Sequence, residues 1–356
     1  WEKEPLVDVG ISRGHLSGVT DEAGIHTIEG VRIGIGFHWD RLEDQLFEGE
    51  LEIMKNADGT ETAVNILDIE DYLTSVISSE MSALSSPELL KAHTVISRSW
   101  VMRLMERERR IASAGTLRSK AFEDGGHVGF DVCADDHCQR YEGLLRRNDK
   151  AVAAVRATAH QVLTYAGEVC DTRFSKCCGG RSEEFEYCWD DIHYPYLESV
   201  ECPYCDTKDK KVLQTVLNSY DQETQDFHDW QVRYTPQELH DILLEKSGID
   251  FGNILNIVPL KRGKSGRIYE LRIEGDKHTE TIGKELKIRR WLSHKCLYSS
   301  WFDVSRDGLD FVLTGHGWGH GVGLCQIGAA VMAEQGFSYE QILAHYFPGS
   351  TLCVRE

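Results

Sequence analysis

Two histidines and two cysteines lie close together in one glycine-containing segment of the chain. They occur in the order His127, Cys133, His137 and Cys138. Imidazole nitrogens and thiolates are the usual ligands of zinc, and four of them complete a tetrahedral site. The spacing differs from that of zinc fingers, so a disulfide, or buried thiols beside surface histidines, is the alternative interpretation. The segment is therefore a candidate zinc site.

The carboxyl of Glu80 is the best candidate for acid–base chemistry. Apolar residues before it recur at the spacing of one helix face: Ile69, Tyr72, Leu73, Val76 and Ile77. Glu80 follows three residues later and so lies on the apolar face of the predicted helix. Desolvation raises the pKa of a carboxyl, and a carboxyl that stays protonated near neutral pH can act as a general acid. The alternative is an ordinary glutamate at a helix end that reaches solvent.

The remaining cysteines are the next candidates for chemistry. The chain has 11 cysteines, and six of them crowd one stretch: Cys170, Cys177, Cys178, Cys188, Cys202 and Cys205. Such clusters indicate metal ligands or a disulfide framework, and disulfides would require an oxidising compartment. Cys202 and Cys205 have the spacing of a redox motif, but no thioredoxin-like pattern surrounds them. We favour disulfides to neighbours such as Cys178 or Cys188 over a second metal site. Cys177 and Cys178 are interpreted as structural thiols or disulfide partners, since no histidine is tied to them as a base.

Two histidines and alternating glycines mark the segment from 315 to 323. His316 and His320 are four residues apart, as in the zinc-binding helix of HExxH proteases, but no Glu follows His316. Glycine occupies alternate positions of the segment (317, 319, 321 and 323) and is a poor helix former. The segment therefore predicts a tight backbone that lines a groove. In the alternative interpretation, both histidines only support the loop.

Strands and helices must position these residues. Residues 28–67 show the period-two pattern of strands, with Asp58-Gly59 as a hairpin turn. Asp68 can cap the helix that leads to Glu80, and Ser85-Ser86-Pro87-Glu88 predicts the start of a second helix that ends near Arg110. Further elements are predicted as follows: a helix over 151–158, a hairpin over 162–174, a helix over 235–246, strands near 254–258, 267–273 and 311–313, and helices over 325–335 and 339–345.

The predicted fold class is α+β, with helices and antiparallel sheets around a substrate groove and a smaller inserted α+β unit. We expect residues 1–205 to form the main region with the Glu80 helix and the zinc loop. Residues 206–314 would form the smaller unit, beginning with a polar linker over 206–232. Residues 315–356 would complete the groove.

Composition and charge exclude several kinds of partner. The 356 residues carry a formal net charge of −19, which disfavours nucleic acid and anionic membrane surfaces. No apolar run is long enough to span a bilayer. The chain begins at Trp1 without an initiator Met, so we expect a trimmed or mature form, in which a removed signal or lipoprotein anchor would not be visible.

Two blocks of sequence resemble the stage II sporulation protein D family (SpoIID/LytB domain). The first runs from Asn65 to Trp100 and contains the Tyr-Leu, Glu-Met, Lys-Ala and Arg-Ser-aromatic steps of that family. The second runs from Gly315 to Gly349 and contains the Gly/His-rich motif, followed by His-Tyr and Pro-Gly. The resemblance covers the chain from about residue 30 to its C-terminus.

The resemblance implies a peptidoglycan lytic transglycosylase with Glu80 as the catalytic acid. Glu80 would protonate the glycosidic oxygen between N-acetylmuramic acid (MurNAc) and N-acetylglucosamine (GlcNAc), and then accept the proton of the muramic C6 hydroxyl. The product is 1,6-anhydro-MurNAc, and no second carboxylate is needed because no water attacks. The family also implies zinc on His127, Cys133, His137 and Cys138. Four protein ligands leave no open position, so this zinc would be structural.

Other residues are expected to contact the glycan. Lys91 and Arg98 lie two helical turns apart on one face, and Arg98 matches the family's arginine. The alternative is a solvated basic edge. The stretch from Ser175 to Glu183 resembles the family's Ser-x-x-Gly-Gly-x-Thr. The predicted substrate-binding residues are Lys91, Arg98, Ser175, Gly179, Gly180, His320 and Gln326.

Two other functions compete with the transglycosylase. LytB-type relatives modify N-acetylmuramoyl-L-alanine amidases, so the chain could instead bind the wall without cutting it and act on an amidase partner. A zinc hydrolase is the second rival, and four protein ligands on the zinc would exclude it. For each function at the cell wall, the expected location is extracytoplasmic: the periplasm, the cell surface or the space around an engulfed forespore.

Overall fold

A computed structural model of the chain describes residues 5–14, 18–35, 40–114, 127, 129–135, 137–216 and 227–355. These residues form eight α-helices and eighteen β-strands, and most paired strands are antiparallel. The predicted α+β class is confirmed. No helix in the described part of the chain combines the length and apolar character needed to cross a membrane.

The chain divides into two compact units. The first comprises Trp1–Thr172, Gln214–Asp221 and Ser350–Glu356, and the second comprises Arg173–Leu213 and Gln222–Gly349. These boundaries differ from the predicted divisions after residues 205 and 314, which stay a prediction. The segment from 173 to 205 and the Gly/His-rich motif both pack within the second unit.

The first unit is built on sheets that carry three helices. Its strands are β1 (Leu6–Gly14), β2 (Val19–Glu22), β3 (Ile25–Ile33), β4 (Arg41–Phe47), β5 (Glu50–Lys55), β6 (Glu61–Asp68), β7 (Val132–Cys133), β8 (Gln161–Tyr165), β9 (Glu168–Val169) and, at the end of the chain, β18 (Thr351–Val354). The largest sheet has the order β5-β6-β1-β7, with β1 antiparallel to β6 and parallel to β7. The predicted hairpin at Asp58-Gly59 joins β5 to β6. The other two sheets have the orders β2-β3-β4 and β18-β8-β9.

The helices of the first unit begin where the sequence predicts. They are α1 (Ile69–Glu80), α2 (Pro87–Ala114) and α3 (Asp149–Ala157). The Asp68 carboxylate caps α1 by accepting the Glu70 N–H, and the Ser86 hydroxyl accepts the Leu89 N–H at the start of α2. Helix α1 is buried on nearly every side. The β6 strand therefore leads directly into a buried helix, which ends at Glu80.

The second unit contains the remaining elements. They are β10 (Phe174–Ser175), β11 (Asp229–Tyr234), α5 (Pro236–Ser247), β12 (Ile254–Arg262), β13 (Ile268–Gly275), β14 (Thr279–Gly283), α6 (Glu285–Trp291), β15 (Phe302–Asp307), β16 (Asp310–His316), β17 (Leu324–Cys325), α7 (Gln326–Glu334) and α8 (Tyr339–Tyr346). Antiparallel sheets of order β11-β16-β15 and β12-β13-β14 share one apolar core, and β10 pairs with β17 in parallel. The largest buried side chains of that core include Phe251, Phe302 and Phe311.

The segment predicted as a polar linker is partly ordered. Helix α4 (Lys210–Val216) lies within residues 206–232, and strand β11 (Asp229–Tyr234) begins there. Residues 217–226 lie outside the described ranges. Strand β11 has the period-two alternation of a strand, with Trp230 and Val232 packed on the core formed with β16, but the polar composition of the surrounding segment obscured this pattern.

Candidate functional site

The four candidate zinc ligands converge in the first unit. The sulfur of Cys138 lies 3.6 Å from His127 Nε2 and 3.7 Å from His137 Nδ1, and the Cys133 sulfur lies 3.8 Å from His137 Nδ1. All four donor atoms lie within 4.8 Å of one another. With zinc–sulfur bonds of about 2.3 Å and zinc–nitrogen bonds of about 2.0–2.1 Å, tetrahedral ligands stand roughly 3.4–3.8 Å apart. The residues therefore fit a zinc ion.

The surroundings of these ligands favour the metal-binding forms. His127 Nδ1 lies 3.1 Å from the Asp131 carbonyl oxygen, and this hydrogen bond leaves Nε2 to face the sulfurs. A hydrogen bond from the Cys138 thiol, followed by bonds from the two imidazoles, lowers the pKa of Cys133. The thiolate is the form that binds metal.

The loop that carries these ligands holds Glu80. Glu80 is the last residue of α1 and is only 7% exposed. Its Oε1 accepts the backbone N–H of Arg140 at 3.0 Å. Arg140 stands two residues after Cys138, and the Gln139 side chain donates to the Ser97 carbonyl of α2. A change in the ligand loop would therefore move a hydrogen bond made to the Glu80 carboxyl.

A buried tyrosine hydroxyl lies in the same region. Tyr72 is fully buried, stacks on Tyr141, and has a hydroxyl without a hydrogen-bond partner among the described residues. Burial, followed by the charges of Cys138, Cys133 and Glu80, raises its pKa well above the ordinary value. It is a neutral donor, and the Tyr-Leu pattern did not indicate that it would lie beside the candidate zinc ligands.

Arg98 does not present a free guanidinium to a ligand. Its side chain is 1% exposed. Its Nε and Nη2 donate to the two Glu70 carboxylate oxygens at 2.7 and 2.6 Å, and Nη1 donates to the Gln161 carbonyl at 3.0 Å. The counter-ion is Glu70 in the first turn of α1, a partly buried side chain that helical spacing within α2 could not reveal. The predicted glycan contact of Arg98 stays a prediction. Lys91 lies at the surface and pairs with Glu88, one turn earlier, at 2.7 Å.

The glycines of the Gly/His-rich segment make room for a buried arginine. Arg267 is 1% exposed, and its guanidinium donates to the carbonyls of Gly319, Cys178 and Cys177. A Cβ on Gly321 would lie 2.4 Å from Arg267 Cζ. The tight backbone predicted from the glycines is present, and what it encloses is Arg267, which no sequence motif had identified.

The predicted substrate contacts in the second unit have different environments. The Ser175 hydroxyl is buried and has no hydrogen-bond partner among the described residues. Gln326, the first residue of α7, is also buried. His320 accepts the Val322 N–H on Nδ1 at 3.0 Å and packs edge-on against Trp189. Burial lowers the pKa of His320 well below its ordinary value, so its imidazole is neutral.

The Gly179-Gly180 pair is occupied by backbone contacts. The Gly180 N–H donates to the Cys205 sulfur at 3.1 Å, and the Gly180 carbonyl accepts the Cys202 N–H at 2.8 Å. A Cβ on Gly179 would lie 2.9 Å from the Gly317 nitrogen. Both polar backbone groups of Gly180 are therefore already hydrogen-bonded, and the expected glycan contact of the Gly179-Gly180 pair stays a prediction.

Comparisons with known proteins match both units. A family model described as "Stage II sporulation protein" matches residues 57–165, and one described as "Domain of unknown function (DUF8618)" matches residues 183–323. An uncharacterised protein of Brachyspira hyodysenteriae is 30% identical over 82% of this chain and 68% of its own length. The stage II sporulation protein D of Bacillus amyloliquefaciens is 28% identical over 81% of this chain and 74% of its own length. The chain belongs to the SpoIID family.

The SpoIID match contains Glu80 and the four zinc-ligand candidates. A further relative, the amidase enhancer of Bacillus subtilis, is 26% identical over 79% of this SpoIID-family chain and 40% of its own length. The Gly/His-rich segment up to Gly323 lies within the second matched region, whose function is unknown.

Within its described residues, this SpoIID-family chain contains two more clusters of metal-binding residue types. Cys178, Cys202, Cys205 and Cys325 form a buried group. In the other cluster, Asp229 hydrogen-bonds both His228 and His316, at 2.9 and 2.6 Å. The Cys202–Cys205 spacing is a sequence signal for the first cluster, whereas the second depends on the pairing of β11 with β16. The eleven cysteines, all described, form no disulfide.

Proposed function

We propose that the chain is a peptidoglycan lytic transglycosylase that cleaves the MurNAc–GlcNAc bond. Membership of the SpoIID family and similarity to an amidase enhancer fit an association with the cell wall. The observation that carries the specific reaction is the buried Glu80 carboxyl, oriented by the Arg140 N–H of the ligand loop.

One carboxyl can perform both proton transfers of this reaction. Glu80 in its acid form donates a proton to the glycosidic oxygen as the bond from that oxygen to muramic C1 breaks. The resulting carboxylate accepts the proton of the muramic C6 hydroxyl as that oxygen bonds to C1. The proton balance closes, no water is consumed, and the product is a 1,6-anhydro sugar.

Zinc on His127, Cys133, His137 and Cys138 would be structural. Four protein ligands fill its tetrahedron, so it would stabilise the loop and take no part in the reaction. The loop in turn supplies the Arg140 N–H to Glu80. We also propose that Lys91, Ser175, His320 and Gln326 contribute to glycan binding and that the protein acts outside the cytoplasm.

The test uses glycan strands with and without stem peptides and analyses the products by mass spectrometry. The unaltered chain, Glu80→Gln and a matched surface variant, Glu52→Gln, are compared, because Glu52 is exposed on β5. Gln retains a carbonyl oxygen for the Arg140 N–H, so Glu80→Gln should stay folded, as checked by its melting temperature. We expect 1,6-anhydro ends from the unaltered chain and Glu52→Gln, and a rate at least about 100-fold lower for Glu80→Gln. Reducing ends as the product would contradict the mechanism.

The amidase enhancer relative supports a second candidate function, a wall-binding protein that modifies an amidase. In that case neither the unaltered chain nor Glu80→Gln cuts either form of glycan. Both would bind glycan equally and raise the rate of an added N-acetylmuramoyl-L-alanine amidase.

A further inference from the structure

Four cysteines from distant parts of the sequence meet in the interior of the second unit. Cys178 follows strand β10, Cys202 and Cys205 lie in one turn, and Cys325 caps the N-terminus of α7. Each of the four residues is at most 1% exposed. Their sulfur atoms all lie within 4.8 Å of one another, and the Cys178 and Cys205 sulfurs are 3.6 Å apart.

This spacing fits one metal ion better than it fits disulfides. A disulfide brings two sulfurs to about 2.05 Å and leaves the other pairs unrelated. Four thiolates on one tetrahedral zinc stand roughly 3.8 Å apart, given zinc–sulfur bonds of about 2.3 Å. Thiolates on different irons of an iron–sulfur cluster are spaced more widely than thiolates on one ion.

Several of the groups closest to the sulfurs are hydrogen-bond donors. Two carbonyl oxygens lie farther away, that of Cys202 at 3.6 Å from the Cys205 sulfur and that of Lys176 at 3.9 Å from the Cys325 sulfur. Gly180 N–H donates to Cys205 at 3.1 Å, and the N–H groups of Cys178 and Gly328 donate to Cys325 at 3.3 and 3.4 Å. The Tyr346 hydroxyl lies 3.2 Å from the Cys202 sulfur. A neutral thiol is a weak acceptor, whereas a buried thiolate needs such donors. The positive N-terminal end of α7 adds to the stabilisation of negative charge on Cys325.

Glycine provides the space that the cluster requires. A Cβ on Gly328 would lie 2.6 Å from the Cys202 sulfur and 3.4 Å from the Cys325 sulfur. A larger residue at position 328 would push α7 away from the 202–205 turn. The close approach of backbone to sulfur is thus part of how the cluster is built.

We propose that Cys178, Cys202, Cys205 and Cys325 bind one zinc ion. Binding displaces the four thiol protons and leaves no coordination position open, so the ion is structural. It ties the end of β10, the 202–205 turn and the start of α7 together. This site is separate from the one formed by His127, Cys133, His137 and Cys138, and it is independent of the proposed reaction.

The test is the metal content of the purified full chain, measured by mass spectrometry of the elements after preparation without chelators. We expect two zinc ions per unaltered chain and one in the double variant Cys202→Ser/Cys205→Ser. Cys188→Ser is the matched control, because Cys188 is a buried thiol of the same unit outside the cluster, and it should retain two. His137→Ala/Cys138→Ser should lose the other ion and keep this one.

A second measurement tests the proposal even if Cys202→Ser/Cys205→Ser fails to fold. His137→Ala/Cys138→Ser is loaded with Co2+, and its absorption spectrum is recorded. Four thiolates on one tetrahedral cobalt give intense sulfur-to-cobalt charge-transfer bands, which zinc should abolish by displacement. The proposal is overturned if the unaltered chain and Cys202→Ser/Cys205→Ser hold equal amounts of zinc, if the chain holds stoichiometric iron, or if non-reduced peptides link Cys178 to Cys202 or Cys205.

Discussion

The ion pair between Glu70 and Arg98 joins α1 to α2, and its loss should destabilise the first unit strongly. Glu70→Ala would leave a guanidinium buried without its counter-ion. Breaking a buried pair from one side costs about 3–5 kcal/mol. The Glu70 side chain is 18% exposed and the Arg98 side chain 1%, so water screens one partner in part and we expect a loss at the lower end, about 3 kcal/mol.

The double variant Glu70→Ala/Arg98→Met distinguishes the cost of an unpaired buried charge from the net contribution of the ion pair. Removing both charges leaves no buried ion, and the main remaining loss is the donor to the Gln161 carbonyl, worth about 1 kcal/mol. The double variant should therefore be more stable than Glu70→Ala by about 2 kcal/mol. For a unit of 150–250 residues, 1 kcal/mol shifts the melting temperature by roughly 2–4 °C, so Glu70→Ala should lower it by about 6–12 °C.

The assay is thermal unfolding followed by circular dichroism, with Glu168→Ala as the control. Glu168 pairs with Arg103 at the surface, where its side chain is 49% exposed, and its loss should cost less than about 1 kcal/mol. If Glu70→Ala is no more harmful than Glu168→Ala, the pair is not the cross-link inferred here. If Arg98→Lys is as stable as the unaltered chain but binds glycan more weakly, Arg98 acts as a substrate contact.

Two further predictions concern the second unit. Burial lowers the pKa of His320, and nearby cations add to the effect: Arg173, Arg267 and Arg289. The unfolded state, with a His pKa of about 6.5, therefore binds more protons, and stability should fall as the pH drops from about 6.5 toward the folded-state pKa. His320→Gln should flatten that part of the melting-temperature profile, and an unchanged slope would refute the assignment. Gly321→Ala should lower the free energy of unfolding by about 1–3 kcal/mol more than Gly336→Ala does. Both glycines have a positive φ, but only at Gly321 would a Cβ clash with Arg267. Equal losses of stability for the two variants in urea unfolding would contradict this.

Local patterns in the sequence were sufficient for the helices that carry the candidate site. The capping residues Asp68 and Ser86 and the apolar stripe before Glu80 act within one or two helical turns, so their effect is visible in the sequence. The same stripe correctly implied that Glu80 is buried. The grouping of His127, Cys133, His137 and Cys138 was also predictable, because all four lie on one short loop.

What remained was decided by contacts between residues far apart in the chain. Arg98 cross-links two helices because it forms an ion pair with Glu70 of the other helix, which its spacing within α2 could not indicate. Cys325 joins the other three cysteines because β17 pairs with β10. Arg267 directly precedes β13, and the Gly/His-rich loop that encloses it lies more than fifty residues later in the chain. Residue type and spacing determine which groups can bind a proton or a metal, whereas tertiary packing determines which groups meet, because desolvation and pairing depend on the neighbours that folding brings together.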